Sequence, residues 1–179
     1  MVDNDDAGIE NDGLDQVCFT TIYNKLLFPE FRYNIGAYGF MYGIGDQLSS
    51  IVSYRDPEIK KSFEAMEAAP EDIEKLDVTD VDVEGALLSV YSAYAYPMSR
   101  LSLTEKEMEY VIANKPESYT DETLSDMKSA KAADVEDVKD MADAFEKMTK
   151  DGVRFTAGNS DSIKKNSDLY ELTIEELTK

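Results

Sequence analysis

From Tyr33 to Arg55 the chain is poorly suited to a helix, and no other interval constrains the fold as tightly. Gly36, Gly39, Gly43 and Gly45 fall within it, and each would cost about 1 kcal/mol relative to alanine inside a helix. The residues between them are rich in aromatic and β-branched types, which favour a pleated surface. The spacing predicts an antiparallel hairpin with its turn at Gly43-Ile44-Gly45-Asp46 and a return strand over QLSSIVSYR. On that strand Leu48, Ser50, Val52 and Tyr54 share one face while Ile51 points the other way. Both faces are therefore expected to be partly covered.

The flanks read as helices. Residues 14–28 (LDQVCFTTIYNKLLF) carry apolar groups at helical spacing and predict a mostly buried helix that Pro29 ends. Asp56-Pro57 reads as an N-cap and first-turn proline launching EIKKSFEAMEAA, with Ile59, Phe63 and Met66 as its stripe. VTDVDVE imitates a strand, but Leu87, Val90, Tyr91 and Tyr94 continue at helical spacing. A helix over about 80–94, stopped near Pro97, is expected. Further helices are expected near 103–113, 120–131 and 134–150. The last places Val135, Val138, Met141, Phe145 and Met148 on one side. VRFTAGN then reads as a strand, Ser160 to Asn166 as a short helix, and LYELTIEEL as a helical tail. Residues 1–13 are expected to be a disordered acidic lead-in, ahead of a single domain over 14–179. A calcium loop starting at Asp3 fails, because Ala7 and Leu14 occupy ligand positions. The fold class predicted is α+β, with helices on one face of an antiparallel-containing sheet.

Charge and residue counts exclude several functions. Asp and Glu number 38 against 18 Lys and Arg, a net charge of −20. Such a field repels nucleic acid and anionic membranes, attracts cationic peptides, and in the plainest reading keeps the protein soluble. With no histidine, an imidazole-based zinc or acid–base site cannot form from this chain. The single cysteine, Cys18, lies among Val17, Phe19 and Ile22 and reads as buried filler. No run approaches the ~20 apolar residues of a membrane span, and the acidic N-terminus lacks the features of a secretory signal, so a cytoplasmic protein is expected. Neither a Gly-Lys-Ser/Thr nor a GxGxxG phosphate loop occurs. Acidic pairs such as Asp80/Glu84 are too common here for any one to mark a catalytic dyad. The chain thus offers no catalytic residues, metal ligands or cofactor site of its own.

Arg32-Tyr33-Asn34-Ile35-Gly36-Ala37-Tyr38-Gly39, followed by Ser53-Tyr54-Arg55-Asp56-Pro57, resembles the C-terminal domain of pitrilysin/insulinase-type zinc metallopeptidases. The branch it is most similar to contains the presequence protease. Weaker similarity runs through Val83–Arg100 (ALLSVYS, then Pro97 and Ser99) and Phe155–Leu169 (TAGNSDSIKKNSDL), so that the resemblance spans roughly 15–170. It implies a metallopeptidase-type α/β roll in a two-halved enzyme whose N-terminal half carries the zinc on an inverted His-x-x-Glu-His motif. It further implies that the C-terminal domain lends an arginine and a tyrosine to the bound peptide. The matching positions are Arg32 and Tyr38, with Gly36 and Gly39 beside them as substrate-binding backbone. A phenol and a guanidinium are donors suited to a carbonyl oxygen gaining charge, and the glycines admit close approach of an extended peptide. The implied partners are the N-terminal catalytic half and unfolded or extended, basic peptides. The chain departs from the pattern in lacking the zinc motif, in having Ile35 where one of a glycine pair is expected, and in lacking the strand before the first helix.

Set against that reading is a plainer and less favoured one, in which Arg32 pairs with Glu30 at the surface and Tyr38 packs on the first helix. Tyr54 and Arg55 read as structural, fixing the strand-to-helix corner. The alternative function is a stand-alone acidic interaction module that uses the same fold without peptidase activity.

Overall fold

In the computed structural model, which describes residues 1–171, the chain is α+β, with eight α-helices and a three-stranded antiparallel sheet. The sheet is ordered β1-β3-β2, where β1 is Val2–Asp3, β2 Gly39–Ile44 and β3 Leu48–Tyr54. β2 and β3 form the expected hairpin, in a register running from Gly39 opposite Tyr54 to Ile44 opposite Ser49. The turn is displaced slightly toward Gly45–Gln47, where Gly45 N–H donates to Leu48 O at 3.0 Å.

One face of the sheet is covered, not both. Phe40 and Ser49 are buried, whereas Met41, Leu48, Val52 and Tyr54 are exposed on the opposite face. The covering element is α2 (Gly13–Ile22), the central helix of the domain. Its Val17, Cys18 and Ile22 have no accessible surface, and Phe19 almost none. Aromatic rings weld it to the sheet and to α7 (Val135–Lys150). Phe19 lies 5.7 Å from Tyr42 and 5.2 Å from Phe145 between ring centroids, and Phe31 stacks on Phe40 at 4.0 Å. The Tyr23 hydroxyl donates to Phe40 O at 3.0 Å, so the one polar atom of that ring is satisfied within the apolar layer.

The helix does not stop at Pro29. It passes into two wider, π-helical stretches, Tyr23–Leu27 and Glu30–Ile35, with Phe28 and Pro29 between them in helical backbone. A proline has no N–H to donate and crowds the carbonyl four residues back, and local π-type expansion is one way a helix accommodates such a defect. The helix ends instead at Gly36, whose φ of +88° suits glycine. Arg32 is therefore carried on a helix terminus rather than on a strand.

The first thirteen residues, expected to be disordered, are folded. Val2, Ala7 and Ile9 are buried, and α1 (Asn4–Ala7) is capped by Asp3. Asn4 pins this segment to the hairpin turn. Its N–H donates to Gln47 O, its amide nitrogen to Gly45 O at 2.7 Å, and its amide oxygen accepts from Ser49 Oγ at 2.8 Å. A short strand before the first helix is thus present, correcting the expectation that it is missing.

The remaining helices follow the predicted order: α3 (Ile59–Glu74), α4 (Asp80–Tyr94), α5 (Arg100–Ile112), α6 (Tyr119–Ala130), α7 and α8 (Ser160–Lys165). α3 begins later than expected. Asp56 accepts from Glu58 N–H and Ser53 Oγ, forming a side-chain-closed turn before the helix rather than its N-cap, and the helix continues through Pro70. VRFTAGN forms no strand. Only Val153 pairs, exchanging two backbone hydrogen bonds with Met1, and Phe155 is exposed. The helical tail predicted over 169–177 falls largely outside the described residues. Among those residues no helix is long and apolar enough to cross a membrane.

Candidate functional site

Arg32, Gly36, Tyr38 and Gly39 lie together where the first long helix turns into β2. The sharp reversal at Gly36 brings the next two residues back beneath the helix end, and the N–H groups of Gly36 and Ala37 both donate to Phe31 O at 3.1 and 2.9 Å. Arg32 closes this turn. Its Nη1 donates to Ala37 O at 3.2 Å and to Tyr38 O at 2.6 Å, and its guanidinium carbon stands 5.2 Å from the centre of the Tyr38 ring. The pairing of Arg32 with Glu30 is not made, because Glu30 accepts from Asn34 Nδ2 instead.

Tyr38 does not pack on the first helix. Its side chain is on the open side of the domain, 60% exposed, with its N–H tied to Tyr54 O at 3.1 Å. Its ring meets that of Tyr54 edge-on at 6.1 Å. Among the described residues no hydrogen-bond partner is recorded for the Tyr38 hydroxyl. That donor is available to something outside this segment.

The two glycines do different things. Gly36 is required by its left-handed backbone. A side-chain carbon at Gly39 would meet no atom within 4 Å, so the space there is open to an approaching chain.

Arg55, read from the sequence as structural, belongs to the same group. It makes the strand-to-helix corner with φ at +48°, an uncommon value for a residue other than glycine. Its guanidinium carbon also lies 5.4 Å from the Tyr38 ring centre and 5.5 Å from that of Tyr54. The hairpin register contains the signal for this. Gly39 faces Tyr54, so one step further outward sets Tyr38 beside Arg55.

This cluster sits on an open surface. A groove of about 520 Å³ lies elsewhere, between α3 and α7, and its lining includes Glu67, Glu71, Glu74, Asp143 and Glu146. Cys18 is no nucleophile: burial pushes its thiol up to about 12, which leaves almost no thiolate at neutral pH. There is no histidine, and among the described residues no three Cys, Asp or Glu side chains converge as ligands.

No family model matches the chain. A curated relative, "Protein HypA" of Clostridium perfringens (strain 13 / Type A), is 28% identical over 148 residues. Those residues are 80% of this chain but 13% of that protein, so the chain spans about an eighth of its relative's length.

Proposed function

We propose that this chain is the substrate-binding, chamber-closing domain of a larger zinc-dependent endopeptidase of the pitrilysin/insulinase type, built as a metallopeptidase-type α/β roll. The observation that carries this reading is the pairing of Arg32 with Tyr38 on an exposed surface, where the arginine holds the tyrosine's own backbone. The tyrosine hydroxyl then faces outward as a positioned donor, the type of group that stabilises charge developing on a peptide carbonyl. The open position at Gly39 and the uncovered face of the hairpin beside it suit an extended peptide. That a relative is so much longer than the matched segment supports a domain that works within a larger protein. Zinc and the groups that activate water belong, in this reading, to the N-terminal half.

The isolated chain is expected to bind extended peptides weakly and to cleave none. Chemical-shift mapping with an unstructured peptide tests this, with perturbations expected at Tyr38, Gly39 and Arg55. Shifts confined to other surfaces, or chelator-sensitive cleavage of a quenched peptide by this chain alone, would refute it.

A second reading, an acidic interaction module without peptidase activity, is favoured by the groove between α3 and α7. Of its five carboxylates, Glu67, Glu71 and Glu146 are paired with Arg154, Lys75 and Lys150, and the remaining acidic excess suits a basic partner. Mapping a Lys/Arg-rich peptide to that groove and not to Tyr38 would favour this alternative.

A further inference from the structure

Two of the chain's four arginines, Arg32 and Arg55, stand over one exposed ring in a protein whose net charge is −20. In so acidic a chain each would be expected to hold a carboxylate. Among the described residues neither has one within ion-pairing distance, although eight other ion pairs are formed. The acidic side chains nearest in sequence are engaged elsewhere: Glu30 accepts from Asn34, and Asp56 accepts from Ser53 Oγ and Glu58 N–H. Two guanidiniums that share one exposed ring and hold no carboxylate leave their charge unpartnered, and an anion reaching them would accept charge-assisted hydrogen bonds. Arg32 spends Nη1 on backbone carbonyls, and no hydrogen bond is recorded for Arg55 side-chain nitrogens among the described residues. Arg55 is moreover held in a left-handed backbone conformation, which fixes where its side chain leaves the corner and, as local strain often does, coincides with a candidate site.

We propose that Arg55 and Arg32 form a carboxylate-binding site beside Tyr38, taking the C-terminal carboxylate or an acidic side chain of a bound extended peptide. This rests on the peptide-binding reading above and adds a specificity to it. The protein's overall charge draws in peptides of positive net charge over a distance of about a Debye length, ~8–10 Å, whereas these two side chains fix the position of one negative group at contact range.

The test uses the chain as it stands and three short acetylated peptides, titrated at low salt by calorimetry or chemical-shift change. One is neutral with an amidated C-terminus, one has the same residues with a free carboxylate, and one is amidated with a single internal glutamate. At least one anionic peptide is expected to bind about tenfold more tightly than the neutral one. Which of the two does so separates a terminal from a side-chain carboxylate. In Arg55→Asn, chosen because asparagine tolerates a left-handed backbone, the anionic peptides should bind no more tightly than the neutral one. Arg55→Lys should retain part of the preference, since lysine keeps the charge but not the planar fork. If the neutral peptide binds as tightly as both anionic ones, or if Arg55→Asn keeps the preference, the carboxylate site is refuted and the peptide-binding reading survives. If none of the three peptides binds, both fall.

Discussion

Replacing Arg32 with alanine should measurably loosen the domain, because the structure gives this side chain a mechanical task besides any part in binding. Its Nη1 holds the carbonyls of Ala37 and Tyr38, its charge sits at the C-terminal end of a helix, and its guanidinium lies over an aromatic ring. A hydrogen bond to a charged group contributes about 1.5–3 kcal/mol where water is excluded, but Arg32 is solvent-exposed, which argues for the low end. A cation at a helix C-terminus adds roughly 0.3–1 kcal/mol and an exposed cation–π contact roughly 0.5–1 kcal/mol. These overlap and do not sum, so a net loss of about 1–2 kcal/mol is expected. For a chain of this size that lowers the melting temperature by roughly 2–8 °C. Arg32→Lys should lose about half as much. Thermal unfolding followed by circular dichroism reads this directly. If Arg32→Ala melts within experimental error of the unmodified chain, Arg32 does not tie down the Gly36–Tyr38 turn. The result also governs how enzymology is read: a variant at Arg32 disturbs the placement of Tyr38, so any loss of activity it causes mixes two effects.

Two further predictions concern the packing around α2. A side-chain carbon at Gly13 would fall 1.8 Å from the carbonyl oxygen of Asp126, where α2 crosses α6 backbone to backbone; Gly13→Ala should therefore cost more than the roughly 1–3 kcal/mol of ordinary overpacking, and a denaturant midpoint near that of the unmodified chain would contradict it. Nearby, burial, helped by Glu122 and opposed by a hydrogen bond from Tyr94, raises the Asp126 carboxyl to about 6. The native state then keeps a proton that the unfolded chain releases near pH 4, so the stability this group contributes is complete below pH 4 and is lost as pH rises through 6. Asp126→Asn should flatten that part of the pH–stability curve and raise stability at pH 7; an unchanged slope would refute the assignment.

The sequence carried the hairpin and the order of the helices because glycine spacing, aromatic content and helical periodicity are local signals. Asp80–Tyr94 and Val135–Lys150 show this, their boundaries set by capping groups at Thr79 and Asp134. The errors have a common physical source in contacts between residues far apart in sequence. Nothing local marks Val2–Asp3 as a strand; it is made one by Asn4 reaching the hairpin turn some forty residues away. Pro29 reads as a terminator from backbone chemistry alone, and EIKKSFEAMEAA stops short of Pro70, yet packing of the first long helix on the sheet and of α3 on α7 carries both helices through their prolines. At the candidate site, Arg32 and Tyr38 were legible as residue types in a recognisable pattern, but their mutual geometry was not. Arg55 was within reach, since counting back from the turn places it beside Tyr38. Its missing carboxylate partner was beyond reach, because that depends on what Asp56 and Glu30 bind instead.

The peptidase reading is tested most directly at the Tyr38 hydroxyl, whose removal by Tyr38→Phe deletes one outward-facing donor and leaves the ring contacts with Arg32, Arg55 and Tyr54 in place. Made in the longer zinc-containing protein that the proposal assigns this domain to, it should lower kcat/KM by about 10²–10³-fold, by analogy with loss of an oxyanion-stabilising donor, with zinc content and melting temperature unchanged. Unaltered kcat/KM in a fully folded, zinc-replete Tyr38→Phe protein would contradict the account.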